Sequence, residues 1–141
     1  MPEDPELGRI MQEKMERIMR ERRDEREAEL AEHKIKPIAV TDSNFDSTVL
    51  DSELPVLVDF SAGWCMPCKV MEPIIEDMAS KYGSRMVFAK LNVDENPLIP
   101  ARYEVLGIPT LILFQGGIER ERIVGVVSLK RLEQILIPYI T

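Results

Sequence analysis

The chain has 141 residues, of which 45% are hydrophobic, so it is long enough for one domain with its own core plus an appendage. Its formal net charge of −7 argues against nonspecific nucleic-acid binding, which requires a basic surface. No apolar run approaches the roughly 20 residues of a membrane span and the charged N-terminus lacks the apolar core of a secretory signal, so we expect a soluble, cytoplasmic protein.

Residues 1–36 form a charged segment, with nine of the 18 Lys and Arg and eleven of the 25 Asp and Glu. Its apolar residues recur at spacings of three and four, which predicts an amphipathic helix: Leu7, Ile10, Met11, Met15, Ile18 and Met19. This helix could be solvated, or it could dock on a partner or a second copy through residues 7–30, because methionine-rich surfaces are adaptable. A membrane-surface helix is less well supported, since its polar face is mixed rather than basic.

The remaining chain comprises residues 37–141. Its first half begins with a short apolar stretch at 37–40 that predicts a strand. Thr41 or Asp42 would cap the helix that follows. The nearly uninterrupted apolar run at 55–61 is typical of a central strand that is covered on both faces. A longer helix is then predicted from about Met66 to Tyr82, with Gly83 as its stop.

The second half contains four further elements before the last helix: a strand at 86–91, a short helix at 97–104, and two strands at 110–114 and 118–124 that flank Gly116-Gly117. Ser128 would cap the final helix. The order βαβαβαββα predicts an α/β fold whose layered sheet ends in an antiparallel hairpin. We therefore divide the chain into a charged helical extension, 1–36, and a main domain, 37–141.

The only two cysteines, Cys65 and Cys68, lie where the central strand gives way to the long helix. The unpaired N–H groups at the start of a helix carry partial positive charge and favour a thiolate there. Two such cysteines in an intracellular chain indicate redox or metal chemistry rather than a structural disulfide framework. His33 is the only histidine, so a four-ligand Cys/His zinc site within the chain is excluded, and a metal site would have to be shared between chains.

Four stretches, in order along the chain, resemble the motifs of the thioredoxin family. Residues 58–69 resemble its active-site signature, and residues 90–97, 107–111 and 124–125 resemble three further motifs. The resemblance spans about residues 38–141. It implies a thioredoxin fold, with a central mixed β-sheet flanked by helices, and a thiol–disulfide oxidoreductase that reduces protein disulfides.

The resemblance also implies separate roles for the two sulfurs. Cys65 would be the exposed nucleophile that forms a mixed disulfide with a protein substrate, and Cys68 would be the buried thiol that resolves it. No bound cofactor is expected, because the redox-active group is the Cys65–Cys68 disulfide itself. A thioredoxin-reductase-like donor would supply the electrons.

Asp59 places a carboxyl group in the otherwise apolar central strand. Because burial disfavours the charged form, its pKa should rise toward the range useful for proton transfer. We interpret Asp59 as the base that accepts the Cys68 proton, directly or through a water molecule, with Lys90 on the neighbouring strand as counter-charge. The alternative is a buried structural Asp59–Lys90 ion pair without a catalytic role.

Pro109 matches the family proline that follows a cis peptide bond beside the dithiol, and Ile108 would pair its backbone with an extended substrate segment. The alternative is an ordinary trans proline that opens a strand. The other residues that the resemblance places at the substrate-binding rim are Trp64, Met66, Pro67 and Gly125.

Two positions depart from the usual family pattern: Met66 stands where glycine is usual, and Ser61 where tryptophan is usual. With Pro67 and no histidine between the cysteines, we expect a reducing dithiol. Ser61 is expected to open one wall of the site. The alternative function is a thioredoxin-like redox adaptor that binds partners through the N-terminal helix.

Overall fold

The computed structural model describes the backbone of residues 5–32 and 36–140, and the side chains of residues 5–27 and 36–140. The chain divides into two compact units, Met1–Lys34 and Ile35–Thr141. Within the described part, none of the helices combines the length and the apolar character needed to cross a membrane. His33 lies outside the described residues.

The first unit contains one helix, α1, at Pro5–Glu32. The predicted amphipathic helix is therefore confirmed. Its apolar stripe is exposed, with values between 40% for Ile18 and 63% for Met19. Charged side chains occupy most of the positions between the apolar ones, which favours a helix that is stabilised along its surface rather than by burial.

The second unit is built on a five-stranded mixed sheet: β1 at Ile38–Val40, β2 at Val56–Ser61, β3 at Val87–Asn92, β4 at Thr110–Gln115 and β5 at Ile118–Val124. The strand order is β1-β3-β2-β4-β5. β3 runs parallel to both β1 and β2, whereas β4 is antiparallel to β2 and to β5. The predicted α/β fold with a terminal antiparallel hairpin is confirmed.

The helices of this unit are α2 at Met66–Tyr82, α3 at Leu98–Arg102 and α4 at Leu129–Leu136. α2 ends at Gly83, as predicted, and the Ser128 hydroxyl accepts a hydrogen bond from the Arg131 N–H at 3.2 Å, which caps α4. All six residues of β2 are buried, so it is the central strand that its apolar run predicts.

Apolar side chains cover both faces of β2. Because successive strand residues point to opposite faces, Leu57 packs with the α2 and α4 side chains, whereas Val56, Val58 and Phe60 pack in the layer that contains Ile99 of α3. Asp59 lies two residues after Leu57 on the same strand, so the two side chains point to the same face. The alternation therefore places its carboxyl group on the face covered by α2.

The helix predicted after β1 is a single helical turn, Asp46–Leu50. The Thr41 hydroxyl accepts a hydrogen bond from the Asn44 N–H at 3.3 Å just before this turn. Neither predicted cap, Thr41 or Asp42, is the N-cap of this turn, which is Phe45 and has no side-chain cap hydrogen bond; for Asp42 the prediction is also wrong about the helix it serves. The Asp42 carboxylate accepts the N–H groups of Leu98 and Ile99 at 3.0 and 2.9 Å, because the sheet brings the start of α3 next to the end of β1.

The β4–β5 hairpin turns at Gly116 and Gly117, as predicted. Both residues have positive φ, +61° and +77°, a conformation that side chains disfavour. A Cβ at Gly117 would also lie 3.2 Å from the Leu50 carbonyl oxygen. The turn therefore requires glycine for its backbone and, at the second position, for space.

Candidate active site

Cys65 and Cys68 form a disulfide at the N-terminus of α2, with their Cα atoms 5.3 Å apart. Cys65 is the N-cap of the helix: its backbone is extended, and its Sγ accepts a hydrogen bond from the Cys68 N–H at 3.2 Å. The sulfur thus takes the place of the hydroxyl or carboxylate oxygen that usually caps a helix. Pro67 lies in the first turn, where its missing N–H removes no helical hydrogen bond.

Both cysteines are buried in the disulfide form. Cys65 is 4% exposed and Cys68 is 2% exposed, so the expectation of an exposed Cys65 is wrong for this form of the protein. The reason is packing: the disulfide forms a small apolar cluster with Ala62, against which Val93 and Ile108 pack. The two sulfurs differ in their place on the helix rather than in their burial.

Asp59 is 3% exposed, and within the described part of the chain its Oδ1 has no hydrogen-bond partner. Burial raises the pKa of this carboxyl group to about 7, Lys90 lowers it by its positive charge, and Glu72 raises it by its negative charge. The expected rise of the pKa toward the range of proton transfer therefore has burial as its main cause.

Lys90 lies next to Asp59 in the β2–β3 register, but its ammonium group donates to Glu72. The distance from Lys90 Nζ to Glu72 Oε1 is 3.0 Å. The alternative of a buried Asp59–Lys90 ion pair is therefore wrong. Both side chains of the observed pair are partly exposed, 41% and 47%, which avoids the cost of burying two charges.

A pocket of about 190 Å³ joins Asp59 to this ion pair. Asp59, Glu72 and Lys90 line it together with Lys36, Pro37, Ile75 and Glu76. The pocket therefore leads from the buried carboxyl group to charged residues near the protein surface. Within the residues that the structure describes, no cluster of three or more His, Cys, Asp or Glu could hold a metal ion.

The peptide bond between Ile108 and Pro109 is cis, as the resemblance implies. Pro109 is buried, and the half-buried Ile108 packs against the cysteine cluster. The Gly125 N–H donates to the Pro109 carbonyl at 2.8 Å, with Gly125 at a φ of +91°. The predicted rim residues Ile108, Pro109 and Gly125 are thus joined in one wall beside the disulfide.

Trp64 and Met66 stand out from the surface at the start of α2, with exposures of 70% and 67%. The Trp64 indole N–H donates to Asp94 Oδ2 at 2.8 Å, which fixes the edge of the ring. A groove of about 190 Å³ runs beside it and is mostly apolar: its lining is Trp64, Val93, Val105, Leu106, Gly107 and Ile108. Ile108, which lines this groove, also packs against the cysteine cluster, so the groove adjoins the disulfide.

Ser61 does not open a wall of the site, contrary to expectation. It is 2% exposed at the end of β2, and its carbonyl oxygen accepts the Val93 N–H at 2.9 Å. Other residues of the same domain cover Ser61, so the small side chain at this position changes the interior rather than the surface of the site.

Two residues of the site were missed by the sequence analysis, Glu72 and Asp94. Glu72 follows Cys68 by four residues, one helical turn, so its place near the cysteines could have been predicted. Its contact with Lys90 depends on how α2 crosses the sheet. Asp94 follows β3 in a turn, and no pattern in the sequence links it to Trp64.

Comparisons with known proteins agree with the resemblance. A family model described as Thioredoxin matches residues 36–137. Thioredoxin 1 of Nostoc sp. (strain PCC 7120 / SAG 25.82 / UTEX 2576) is 44% identical over 97 residues, which cover 69% of this chain and 91% of that protein. The thioredoxin of Acidithiobacillus ferridurans is 47% identical over 97 residues, which cover 69% of this chain and 90% of that protein.

A longer protein also matches. The bifunctional thioredoxin reductase/thioredoxin of Mycobacterium leprae (strain TN) is 51% identical over 88 residues. The match covers 62% of this chain but 19% of that protein, so the similarity is confined to one part of it.

Proposed function

Because the chain belongs to the thioredoxin family and is a thiol–disulfide oxidoreductase of the protein-disulfide reductase type, we propose that Cys65 is its nucleophile and Cys68 its resolving thiol. The observation that carries this assignment is the position of Cys65 Sγ as the N-cap of α2, where it accepts the Cys68 N–H. In the reduced protein the same N–H and the helix N-terminus favour a thiolate on Cys65.

The reaction then proceeds in two exchanges. The Cys65 thiolate attacks one sulfur of a substrate disulfide; a mixed disulfide forms and the other substrate sulfur leaves as a thiolate. Cys68 loses its proton and attacks Cys65 Sγ, which releases the second substrate thiol and forms the Cys65–Cys68 disulfide. Two electrons thus pass from the dithiol to the substrate, and no bound cofactor takes part.

We assign to Asp59 the role of base for Cys68. Its burial, its unpartnered Oδ1 and a pKa of about 7 support this role, since a carboxylate with such a pKa can accept a proton near neutral pH. Lys90 acts as a counter-charge, because it lowers the pKa of Asp59 without pairing with it. The pocket beside Asp59 gives the proton a route to solvent.

The test of this role is the pH dependence of mixed-disulfide resolution. In the native chain the resolution rate should rise with pH through about 7, as Asp59 loses its proton. Asp59→Asn should slow resolution and remove this rise, with the rate followed by stopped-flow release of a chromogenic thiol. A native profile in Asp59→Asn would contradict the assignment.

We further propose that Trp64, Met66, Pro67, Ile108, Pro109 and Gly125 bind an extended apolar segment next to the substrate disulfide. The exposed apolar side chains and the adjoining groove support this role. Met66→Ser should raise KM for insulin reduction and change kcat little. Met11→Ser on α1 is the matched control, since it makes the same change at an exposed methionine of the other unit.

A thioredoxin-reductase-like protein is the proposed electron donor. The name of the Mycobacterium leprae relative joins a reductase and a thioredoxin in one chain, which supports this pairing. We place the protein in the cytoplasm, because a reducing dithiol works where thiols are kept reduced. Reduction of the Cys65–Cys68 disulfide by purified thioredoxin reductase and NADPH tests the donor; absence of NADPH oxidation would contradict it.

The second candidate function is a redox adaptor. We propose that residues 1–36 form a charged extension and residues 37–141 the reducing domain, and that the exposed stripe of α1, within residues 7–30, binds a partner or a second copy. A chain that begins at Lys36 should reduce insulin at the native rate. If the adaptor function holds, this truncation loses the association that the full chain shows in sedimentation or partner capture, whereas Cys65→Ser retains it.

A further inference from the structure

Glu72 is a charged residue of α2 that the reaction described above does not use. It lies one helical turn after Cys68, and its side chain is 47% exposed. Its one described contact is the 3.0 Å ion pair with the Lys90 ammonium. Both residues of this ion pair line the pocket that Asp59 also lines.

Without Glu72, the nearest buried acceptor for Lys90 would be Asp59. The two residues are partners in the β2–β3 register, and both line the same pocket. Asp59 Oδ1 also lacks a hydrogen-bond donor within the described residues. Once Glu72 is removed, the carboxyl groups that share the pocket with the flexible Lys90 side chain are Asp59 and Glu76. Of these, Asp59 is the register partner of Lys90, and an ammonium group that turns toward it would favour its charged form.

We propose that Glu72 is a positioning residue for the dithiol reaction: by holding the Lys90 ammonium at the pocket mouth, it lets Asp59 keep its proton closer to neutral pH. This inference rests on the proposed role of Asp59 as the base for Cys68. Three residues on three different elements, Asp59 on β2, Glu72 on α2 and Lys90 on β3, would then together set the pH at which the base becomes active.

The charges around Asp59 agree with this arrangement. Burial is the largest cause of its raised pKa, Lys90 opposes the rise, and Glu72 adds to it. The other charged residues that line the pocket are Glu76 on α2 and Lys36 before β1. On the other side of β2, strand β4 places the apolar Leu111 opposite Asp59. The Glu72–Lys90 pair is therefore the charged contact best placed to shift the Asp59 equilibrium.

The first test measures Asp59 directly in the oxidised full chain, in which the cysteines do not titrate. The NMR chemical shift of the Asp59 carboxyl carbon is measured as a function of pH, and the midpoint of the titration gives the pKa. Glu72→Gln should lower the midpoint by about half a pH unit, the size expected for a partly exposed charge contact. Asp77→Asn removes an equal charge from an exposed position of the same helix and is the control. A Glu72→Gln shift no larger than that of Asp77→Asn would overturn the proposal.

The second test separates positioning from direct repulsion. In a Lys90→Met background, Glu72 no longer has the Lys90 ammonium to hold, so Glu72→Gln should shift the Asp59 midpoint by less than half as much as in the native background. An undiminished shift would mean that Glu72 acts on Asp59 by its own charge, and the positioning role would be wrong.

The third test links Glu72 to catalysis and keeps the two proposals apart. Glu72→Gln should move the pH midpoint of mixed-disulfide resolution downward by the same amount as the NMR midpoint. If Asp59→Asn leaves the resolution profile native, the base assignment fails, whatever the NMR midpoints show. If Asp59→Asn removes the pH dependence of resolution but Glu72→Gln leaves the midpoint of that pH dependence unchanged, only the inference about Glu72 is overturned.

Discussion

The two long helices of this protein, α1 and α2, have similar amphipathic patterns but opposite surroundings. α2 buries Met71, Ile75 and Met78 against the sheet, whereas every described apolar residue on α1 is at least 40% exposed. Charged residues surround both stripes. A pattern with a period of 3.6 residues therefore predicts a helix, but only the rest of the fold decides whether its apolar face is covered.

Substitutions in the two helices should differ most in their effect on the activity of the protein. Cys65→Ser at the start of α2 should lower insulin reduction by about a thousandfold or more, to the uncatalysed rate, because the attacking sulfur is gone. Ile18→Ser on α1 is the control and should retain the native rate. Residual catalysis by Cys65→Ser well above background would show that Cys68 can start the reaction.

The second difference is in stability. Met78 is fully buried between α2 and the sheet, so Met78→Ala should lower the free energy of unfolding by about 2 to 5 kcal/mol. Met15→Ala on α1 makes the same change at a residue that is 57% exposed, and should cost less than about 0.5 kcal/mol. Urea unfolding of the oxidised chains measures both. A comparable loss in Met15→Ala would mean that the α1 stripe is covered in solution.

The third difference is in the pH dependence of stability. Because the pKa of Asp59 is raised from 3.8 to about 7, the folded state binds this proton more tightly, so its contribution to stability is greatest below pH 3.8 and declines as pH rises to 7. In the oxidised chain, Asp59→Asn should remove this decline and gain on the order of 3 kcal/mol relative to the native chain between pH 4 and pH 8.

The control for this comparison is Asp24→Asn, which changes an exposed acid on α1. The difference in unfolding free energy between Asp24→Asn and the native chain should stay constant over the same pH range. A constant difference for Asp59→Asn as well would contradict the raised pKa of Asp59 in the folded protein.

A weaker effect is predicted for the backbone of α1. Gly8 lies inside this helix, and a Cβ there would meet no atom within 4 Å. Gly8→Ala should therefore strengthen the helix by about 0.5 to 1 kcal/mol through backbone entropy alone. Circular dichroism at 222 nm should become slightly more negative, while urea unfolding of the main domain, followed by the single Trp64, should not change.

How much the sequence could predict depended on whether a feature was local. The central strand, the bounds of α2, the glycine turn and the Ser128 cap follow from neighbouring residues and were predicted correctly. Asp42 was assigned to the wrong helix, because the N–H groups that it binds belong to residues 56 and 57 positions further along the chain. Capping rules describe only the nearest helix.

The same limit applies to the site. The positions of Cys65 and Cys68 at a helix start and the burial of Asp59 followed from the sequence, because each depends on one strand and the helix after it. The Lys90–Glu72 pair and the burial of Cys65 depend on side chains from separate elements, among them Ile108 and Val93. These contacts arise only once α2 crosses the sheet and the loops meet at its end.

The hydrogen bond from Gly125 to Pro109 has a consequence for the energetics of binding. It ties together two loops that lie on either side of the β4–β5 hairpin, so the wall beside the disulfide is ordered before any substrate arrives. An extended segment that docks there does not have to immobilise this wall, and the entropy lost on binding falls mainly on the substrate. Flexible or locally unfolded disulfide loops would lose the most entropy on docking, whereas segments that are already extended would bind with the smallest loss.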